Sequence, residues 1–370
     1  MNNALPVIIS GAGPTGLTLA LALGKAGIKV ELFEAQADLA DEIRASTIHA
    51  STLELWDDLG VADAIIAKGK ITRSLQYWER ETKTLVAEFD YGLLKNDTRY
   101  PFRLQCPQNI VTRELRPAVE ATGNVTIHMS HPVQRFEDHG DSVTLFVDSP
   151  EGEKAVNGSY LVACDGPRSP EREQLDIQFP NLSVLEDRFL LIGTDIDLTQ
   201  TYPGIGPVAY FYDPQEWIIC MQLPEMTRTV FRIPPDEATE GLTEEASCRK
   251  RLSKVVGDDY TYDIKVVNYY SVIQRAAETF RVGRVILAGD AGHLNNPTGG
   301  QGLNSGAQDA GILARKLIDV LNGAPDSALD EYSRERSDYA ANMVQAKARK
   351  NYSELVLTDA EERAERNRSM

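Results

Sequence analysis

A glycine-rich loop near the start of the chain has the residue types and the spacing that bind a dinucleotide. The loop consists of Gly11, Ala12, Gly13, Pro14, Thr15 and Gly16. The apolar run 7–10 before it predicts a buried parallel strand, and the leucine- and alanine-rich stretch after it predicts a helix. In that setting Gly11 permits a tight turn, Gly13 lets the backbone approach a pyrophosphate, and Gly16 lets strand and helix pack closely. The unpaired amides at the helix start would face the phosphate charge.

An acidic residue ends the next predicted strand, which covers residues 30–33. Glu34, followed by Ala35, lies about 20 residues beyond the loop, where a carboxylate accepts hydrogen bonds from a ribose diol. The same carboxylate repels a 2′-phosphate. The sequence therefore predicts FAD or NAD at this loop rather than NADP.

Two more carboxylates follow predicted buried strands further along the chain, Asp165 after the run 160–164 and Asp290 after the run 284–288. Ligands of open α/β sheets lie at such strand ends, and Asp290 can accept hydrogen bonds from ribityl hydroxyls. The glycine-rich stretch 299–304 then offers clustered amides at a helix start, which stabilise negative charge on a reduced flavin ring. We assign four of its residues to the cofactor site: Gly300, Gly302, Leu303 and Asn304.

These segments together resemble the fingerprints of the class A flavoprotein monooxygenases, the p-hydroxybenzoate hydroxylase-like family. The resemblance extends from the first loop to about residue 317, and the wording Val-Ala-Cys-Asp-Gly at 162–166 is closest to the hydroxyphenylpropionate and phenol hydroxylase branch. It implies three further FAD contacts. These are Arg44 near the pyrophosphate, Gln108 at the flavin, and the backbone of Val133 at the adenine.

The resemblance implies an FAD-dependent aromatic monooxygenase with NADH or NADPH as the electron donor. In the implied cycle the reduced flavin and O₂ form a C4a-hydroperoxide, whose distal oxygen passes to an electron-rich phenolic or related heteroaromatic ring. The sequence has no second dinucleotide fingerprint, and members of this family admit the nicotinamide transiently. The resemblance also places Pro297 at the reactive end of the flavin ring.

The pattern of elements predicts an α/β fold in which a Rossmann-type FAD-binding domain carries an inserted antiparallel-sheet substrate domain. We predict helices over 14–26, 46–59, 112–122 and 305–321, and strands over 125–129, 143–147, 160–164, 189–192, 208–212, 217–221 and 229–233. We assign 1–74, 105–182 and 271–350 to the discontinuous FAD-binding domain, 75–104 and 183–270 to the substrate-binding sheet, and 351–370 to a C-terminal tail. The charges of this tail indicate a solvated helix.

Aromatic residues of the inserted sheet are candidates for the substrate site. Tyr210 and Tyr212 alternate along a strand and therefore share a face, where either can polarise a phenol. Trp217 and Arg232 are further candidates for its lining. Ordinary packing in the sheet core is the alternative interpretation of all four, and no general base is named.

Three residues beside the two carboxylate turns have a structural interpretation. His293 follows the Asp290 turn and is expected to make a structural hydrogen bond rather than to react. Arg168 and Arg172 are expected to hold the turn at Asp165 in place.

Composition argues against several other classes of protein. The formal net charge of −17 disfavours a nucleic-acid partner and an anionic membrane surface. No apolar run reaches transmembrane length, and the four cysteines are too far apart to indicate a zinc site or a disulfide framework. We expect a cytoplasmic enzyme, monomeric or homodimeric and without a metal, whose partners are a small aromatic substrate and O₂.

Two alternatives use the same scaffold. Another FAD-dependent oxidoreductase, such as a halogenase or a lipid-ring reductase, is the first. A halogenase should carry a Trp-x-Trp-x-Ile segment, which residues 216–219 do not supply. A flavin-binding protein without turnover is the second, and the intact stretch 299–304 argues against it.

Overall fold

A computed structural model describes residues 5–41, 45–182, 187–213, 216–234, 236–272, 274–295, 299–344, 357 and 359–370. The strands within these residues are β1 (Val7–Ser10), β2 (Val30–Phe33), β3 (Thr47–Ile48), β4 (Lys70–Thr72), β5 (Ser74–Glu79), β6 (Thr84–Asp90), β7 (Arg103–Gln105), β8 (Val125–His128), β9 (Val133–Asp138), β10 (Val143–Ser149), β11 (Gly152–Gly158), β12 (Tyr160–Ala163), β13 (Asp187–Thr194), β14 (Val208–Tyr212), β15 (Ile218–Gln222), β16 (Thr227–Ile233), β17 (Ile264–Val272), β18 (Arg275–Ala276), β19 (Arg281–Val282), β20 (Val285–Leu287) and β21 (His293–Leu294). The helices are α1 (Pro14–Lys25), α2 (Ala50–Asp58), α3 (Ala62–Lys68), α4 (Gln108–Ala121), α5 (Pro170–Gln174), α6 (Glu245–Val256), α7 (Gln301–Leu321), α8 (Ser327–Asp338) and α9 (Ala360–Ser369).

A six-stranded sheet with strand order β19-β20-β12-β1-β2-β8 forms the first layer. Neighbours from β20 to β8 run parallel, whereas β19 pairs with β20 antiparallel. Every residue of β1 and β12 is buried, which explains why both strands are nearly continuous apolar runs. Because parallel strands end on the same side, the turns after β1, β2, β12 and β20 border one edge of this sheet.

Helix α1 follows β1 and packs against α4 and α7. It begins at Pro14, whose missing N–H costs no helical hydrogen bond in the first turn. It ends at Lys25, and Gly27 at φ +80° turns the chain out of the helix towards β2. The predicted strand–helix–strand opening is therefore confirmed.

Three small antiparallel sheets also occur in the described residues, with strand orders β11-β10-β9, β3-β7-β4 and β18-β21. In the second of them Thr47 pairs with Gln105 and Ile48 with Leu104. The helix predicted over 46–59 is therefore wrong at its start. Its first residues pair as a strand, and α2 begins only at Ala50.

A seven-stranded sheet with strand order β17-β13-β16-β15-β14-β5-β6 forms the second large layer. Its neighbours run antiparallel except β14 and β5, which run parallel. Helix α6 packs on one face through Leu252 and Val255. The other face, which we call the aromatic face, carries Tyr77, Phe189, Tyr210, Tyr212, Trp217 and Tyr270.

The predicted combination of a parallel Rossmann-type sheet with an antiparallel sheet is confirmed. The division into domains at the boundaries given above stays a prediction. Sequence patterns indicated no element for α6, α8, β9, β11 or β17, because charged or exposed residues interrupt their apolar periodicity. Within the described ranges, no helix has both the length and the apolar character needed to cross a bilayer.

Candidate active site

The loop between β1 and α1 borders an open space in front of its middle glycine. Gly11 has φ +99°, and a Cβ atom there would overlap the Cys164 carbonyl group. A Cβ atom on Gly16 would overlap the Gly11 carbonyl oxygen, whereas one on Gly13 would meet no protein atom within 4 Å. No described side chain caps α1, and its first turn has no acidic residue. The helix start therefore presents amides to a space that suits a pyrophosphate.

Glu34 lies beside this loop at the carboxyl end of β2. Its Oε2 accepts a hydrogen bond from the Ala12 amide at 2.8 Å, and its Oε1 accepts one from the Gln36 amide at 3.0 Å. Each oxygen keeps a lone pair, because a carboxylate offers about four acceptor sites. Ala35 is exposed next to it. The contact of Glu34 with a ribose stays a prediction, which this placement supports.

Asp165 lies directly behind the loop, and its carboxyl group lies beside that of Glu171 in α5. If both groups are ionised, none of their four buried carboxyl oxygens has a hydrogen-bond donor among the described residues. A proton on one group can bond to the other. Glu171 is only 1% exposed. Burial, then the hydrogen bond and the charge of Glu171, raise the pKa of Asp165 to about 10. Asp165 therefore keeps its proton at neutral pH.

Arg172 joins the turn at Asp165 to the turn after β20. Its Nη1 donates to the Ala291 carbonyl oxygen at 2.9 Å, and its Nη2 donates to the Pro167 carbonyl oxygen at 2.9 Å. The expectation that an arginine holds this turn is confirmed for Arg172, whereas Arg168 is exposed.

Thr15 sets the distance between the first loop and the later turn. A Cβ atom on Gly289 would lie 2.6 Å from its Oγ1, and one on Gly306 would overlap the same atom. Loop 11–16, the 3₁₀ turn that contains Asp290, and helix α7 are thus in contact. Asp290 itself is exposed, and its contact with a ribityl chain stays a prediction.

A buried charge network supports that turn from behind. Oδ2 of Asp309 accepts hydrogen bonds from the Gly289 amide at 2.9 Å and from Nε2 of His293 at 2.8 Å. Oδ1 accepts one from Nε of Arg336 at 2.5 Å. Burial alone would raise the pKa of Asp309, but His293 and Arg336 outweigh burial and hold this pKa below its usual value. The structural interpretation of His293 is confirmed, and sequence analysis missed Arg336.

Asn304 connects the glycine-rich stretch to β3. Its Oδ1 accepts a hydrogen bond from the His49 amide at 2.8 Å, and its Nδ2 donates to the carbonyl oxygens of Thr47 at 2.8 Å and Gly300 at 2.6 Å. The His49 ring reaches the Gly299 carbonyl oxygen through Nε2 at 2.9 Å. The assignment of Asn304 to the cofactor site stays a prediction, and sequence analysis missed His49, which no motif marks.

The start of α7 is a second set of open amides. Gly300 lies just before the helix with φ +68°, and a Cβ atom on Gly302 would meet no protein atom within 4 Å. Leu303 points into the core and is 8% exposed. No described side chain caps α7, and its first turn has no acidic residue. Both helix starts therefore suit a negatively charged group.

The other predicted cofactor residues have the following places. Gln108 is the first residue of α4, half-buried, and its amide donates to the Ala45 carbonyl oxygen at 2.9 Å. Val133 is the first residue of β9 and is half-buried. Arg44 and Pro297 lie outside the described residues, so their roles stay predictions.

Tyr210 and Tyr212 share the aromatic face, as predicted. Tyr77 stacks with both, with ring centroids 5.4 Å and 5.5 Å apart. The Tyr210 hydroxyl accepts a hydrogen bond from the Gly299 amide at 3.1 Å. Burial raises the pKa of Tyr210, against smaller opposing effects of Arg103 and this hydrogen bond. The hydroxyl is therefore neutral at physiological pH and keeps its proton for a further acceptor.

Arg228 adds a buried cation to the same face and is 3% exposed. It alternates along β16 with Val230 and Arg232, so the three side chains share a face. Its Nη1 lies 3.4 Å from Oγ of Ser46, just before β3. Burial lowers the pKa of Arg228 to about 10, although Tyr270 acts in the opposite direction. Sequence analysis proposed Arg232 for this face but missed Arg228.

These groups suit a dinucleotide that crosses the carboxyl edge of the six-stranded sheet. The starts of α1 and α7 offer amides to anionic groups, and Glu34 and Asp290 offer carboxylates to hydroxyls. FAD carries a pyrophosphate, a ribose, a ribityl chain and a ring that becomes anionic on reduction, so it fits this donor and acceptor set. In the described parts of the chain, no group of His, Cys, Asp or Glu residues is arranged to hold a metal ion.

Comparison with known proteins agrees with this assignment. The model of a family described as "FAD binding domain" matches residues 4–347. Para-nitrophenol 4-monooxygenase from Pseudomonas sp. (strain WBC-3) is 32% identical over 367 residues, which cover 96% of this chain and 89% of that protein.

Two solved structures are also similar. The crystal structure of p-nitrophenol 4-monooxygenase PnpA from Pseudomonas putida DLL-E4 has a TM-score of 0.92 and 30% identity, and the match covers 100% of this chain and 93% of that one. The flavin-dependent monooxygenase PieE, in complex with FAD and substrate, has a TM-score of 0.85 and 26% identity over 96% of this chain and 64% of that one.

Proposed function

Since this chain belongs to the FAD-binding family of flavoprotein monooxygenases, we propose that it places one oxygen atom from O₂ on a small phenolic ring. It is an FAD-dependent aromatic monooxygenase, and NADH or NADPH supplies the electrons. The phenol is proposed because the aromatic face offers rings, a neutral hydroxyl and a buried cation, and because a relative is named for para-nitrophenol. We call the proposed substrate space between the aromatic face and the flavin site the cleft. A monomer or a homodimer is compatible with this proposal.

The observation that carries the proposal is the hydrogen bond between Gly299 and Tyr210. Gly299 begins the glycine-rich stretch that we assign to the flavin ring, and Tyr210 belongs to the aromatic face. This contact brings the substrate face against the reactive end of the cofactor site. A ring bound on the aromatic face therefore lies next to the place where oxygen is activated.

Each part of the cofactor site has a proposed task. The amides at the start of α1 hold the pyrophosphate, Glu34 accepts from the ribose, and Asp290 accepts from the ribityl chain. The amides of 302–304 stabilise negative charge on the ring. When bound, FAD supplies hydride acceptance from the nicotinamide and activation of O₂.

The chain's own side chains bind the substrate, orient it and exclude water from it. The aromatic face packs against the substrate ring and excludes water. This favours transfer of oxygen to the substrate over release of hydrogen peroxide. Tyr210 donates its proton to the substrate oxygen and fixes the orientation of the ring. Arg228 stabilises negative charge on that oxygen, because a buried guanidinium attracts an anion strongly in a dry site.

A screen of phenols with the purified, FAD-loaded chain tests the proposal. We expect at least one small phenol to accelerate NAD(P)H oxidation and O₂ consumption, and mass spectrometry to find one added oxygen in the product. Halogenated or ring-reduced products would support another oxidoreductase on this scaffold. A flavin that no phenol affects would contradict the proposal and favour a binding protein.

A further inference from the structure

Helix α9 has the sequence of a solvated tail but a buried anchor. Its charged residues Glu361, Glu362, Glu365 and Arg368 are exposed, as the sequence predicts. Arg366, in contrast, is only 6% exposed. The interpretation of this segment as a solvated helix is therefore wrong for Arg366, and the position of that side chain needs a separate explanation.

Arg366 lies on the aromatic face. Its guanidinium carbon is 3.3 Å from the centroid of the Tyr212 ring, and its Nη2 donates to Oε1 of Glu79 at 3.0 Å. Asn367 donates to the same oxygen at 3.2 Å. The Tyr212 hydroxyl donates to Sδ of Met370 at 3.4 Å, and Met370 packs against the face. Tyr212 and Glu79 are register partners on β14 and β5, so α9 docks on one row of the sheet.

A row of stacked rings joins this contact to the cofactor site. Tyr77 stacks with Tyr212 on one side and with Tyr210 on the other, and Tyr210 accepts the hydrogen bond from Gly299. Alternate residues of a strand lie roughly 7 Å apart, about the length of one phenol ring. Arg366 therefore lies further from Gly299 than Tyr210 does, by about the length of one phenol ring.

Helix α9 is held on the sheet by the specific polar contacts of Arg366, not by apolar packing alone. Burial lowers the pKa of Arg366, although Tyr212 and Glu79 act in the opposite direction. Placing a guanidinium out of water costs solvation free energy, which the Glu79 carboxylate and the face of the Tyr212 ring offset. Because these partners have fixed positions on the sheet, α9 is held at one place on the aromatic face.

We propose that Arg366 and Met370 form the outer wall of the substrate cleft and limit the size of the phenol that the cleft accepts. This inference rests on the function proposed above, because it assigns both residues to that same site. Arg366 is a positioning residue that holds the Tyr212 ring, and Met370 covers the edge of this ring.

Loss of the wall has two consequences. Larger phenols fit, and water reaches the cleft. When oxygen is not transferred, NAD(P)H and one proton reduce O₂ to hydrogen peroxide, and NAD(P)⁺ is the other product. Peroxide formed per NAD(P)H consumed therefore reports on closure of the cleft.

Arg366→Ala and Met370→Ala remove the wall, and Arg368→Ala, at a side chain 69% exposed on the same helix, is the matched control. The probes are 4-nitrophenol and the longer 4-phenylphenol. We expect Arg366→Ala to raise KM for 4-nitrophenol about tenfold with kcat changed less than about threefold, because binding rather than chemistry is lost. It should also release more peroxide and favour 4-phenylphenol. An Arg366→Ala enzyme that equals Arg368→Ala in KM, peroxide yield and size preference overturns the proposal.

Met370→Trp adds bulk at the same place and should act in the opposite direction, with 4-phenylphenol rejected and 4-nitrophenol retained. This variant keeps the test informative if the alanine variants fold poorly. A Met370→Trp enzyme that accepts both phenols as the unaltered chain does would count against the wall.

A measurement without turnover separates this inference from the proposed function. Trp217, 1% exposed, lies on the aromatic face, whereas Trp56 and Trp78 are buried in other clusters. Acrylamide should therefore quench the total tryptophan fluorescence more in Arg366→Ala than in Arg368→Ala. Equal quenching in the two variants contradicts the wall. If no phenol stimulates NAD(P)H oxidation by the unaltered chain, the proposed function fails. The quenching measurement still decides whether α9 covers the aromatic face.

Discussion

The two sides of the cleft are built in opposite ways. On the six-stranded sheet, backbone amides and turn carboxylates form the proposed FAD site, and a Cβ atom on Gly13 or Gly302 would meet no protein atom within 4 Å. On the seven-stranded sheet, side chains from separate strands and from α9 form the face, and their partners are distant in sequence. The cofactor side therefore has a geometry that few substitutions can preserve, whereas the substrate side can change its contacts one side chain at a time.

Asp309→Asn is expected to have the largest effect and tests whether the cofactor side is supported by buried charges. The substitution leaves the Arg336 guanidinium buried without its carboxylate, and we expect a loss of about 3–5 kcal/mol in unfolding free energy. Denaturant titration at neutral pH measures this loss. Asp319→Asn, at an exposed position of the same helix, should change stability by less than about 0.5 kcal/mol. Equal stability of the two variants would mean that the network contributes little.

Gly13→Ala tests the open space at the start of α1. A methyl group there meets no protein atom but occupies the proposed pyrophosphate position, so the fold should persist. We expect FAD to bind about a hundredfold more weakly, or about 2.7 kcal/mol, in a flavin fluorescence titration. Gly206→Ala, on the substrate side where a Cβ atom makes only ordinary contacts, is the control. Unchanged FAD affinity in Gly13→Ala would remove the pyrophosphate from this loop.

Tyr210→Phe examines the contact between the two sides. It removes the acceptor of the Gly299 amide and the proposed donor to the phenol. We expect kcat/KM for the phenol to fall about tenfold, or about 1.4 kcal/mol, with FAD affinity unchanged within about twofold. Tyr269→Phe, on the opposite face of the seven-stranded sheet, should have no such effect. A Tyr210→Phe enzyme with full activity would separate the aromatic face from the chemistry.

Glu171→Gln tests how the buried carboxyl pair on the cofactor side makes stability depend on pH. We expect it to have the smallest effect. Because the folded pKa of Asp165 is raised to about 10 from an ordinary value near 3.8, its contribution to stability is present below that ordinary value and is lost as pH rises towards 10. Removing the partner charge should stabilise the chain at pH 8 by about 1 kcal/mol and flatten the dependence on pH. Thermal unfolding from pH 6 to pH 9 measures both, with the exposed Glu173→Gln as control. Parallel curves for the two variants would argue against an effect of Glu171 on the pKa of Asp165.

The cofactor side was largely predictable because its signals are local. Loop 11–16 follows a buried strand and precedes a helix within a short stretch, so its glycines have an interpretable context. The partners of Asn304 and Asp309 were not predictable, because Thr47, His49 and Arg336 meet them only in the folded chain.

The substrate side was predictable only as a class of sheet. Alternation placed Tyr210 and Tyr212 on one face, but it could not show that Gly299 binds one hydroxyl and that Met370 accepts from the other. Arg366 shows the limit most clearly. Its charged neighbours predict a solvated helix, and only the position of Tyr212 on another strand explains its burial.

Uptake of FAD by the purified chain tests the central claim most directly, since the roles proposed for both sides require FAD between them. The account predicts that the chain, incubated with FAD and passed through gel filtration, retains a stoichiometric flavin spectrum, and that Gly13→Ala does not. A folded chain that remains colourless after incubation with excess FAD would contradict the account.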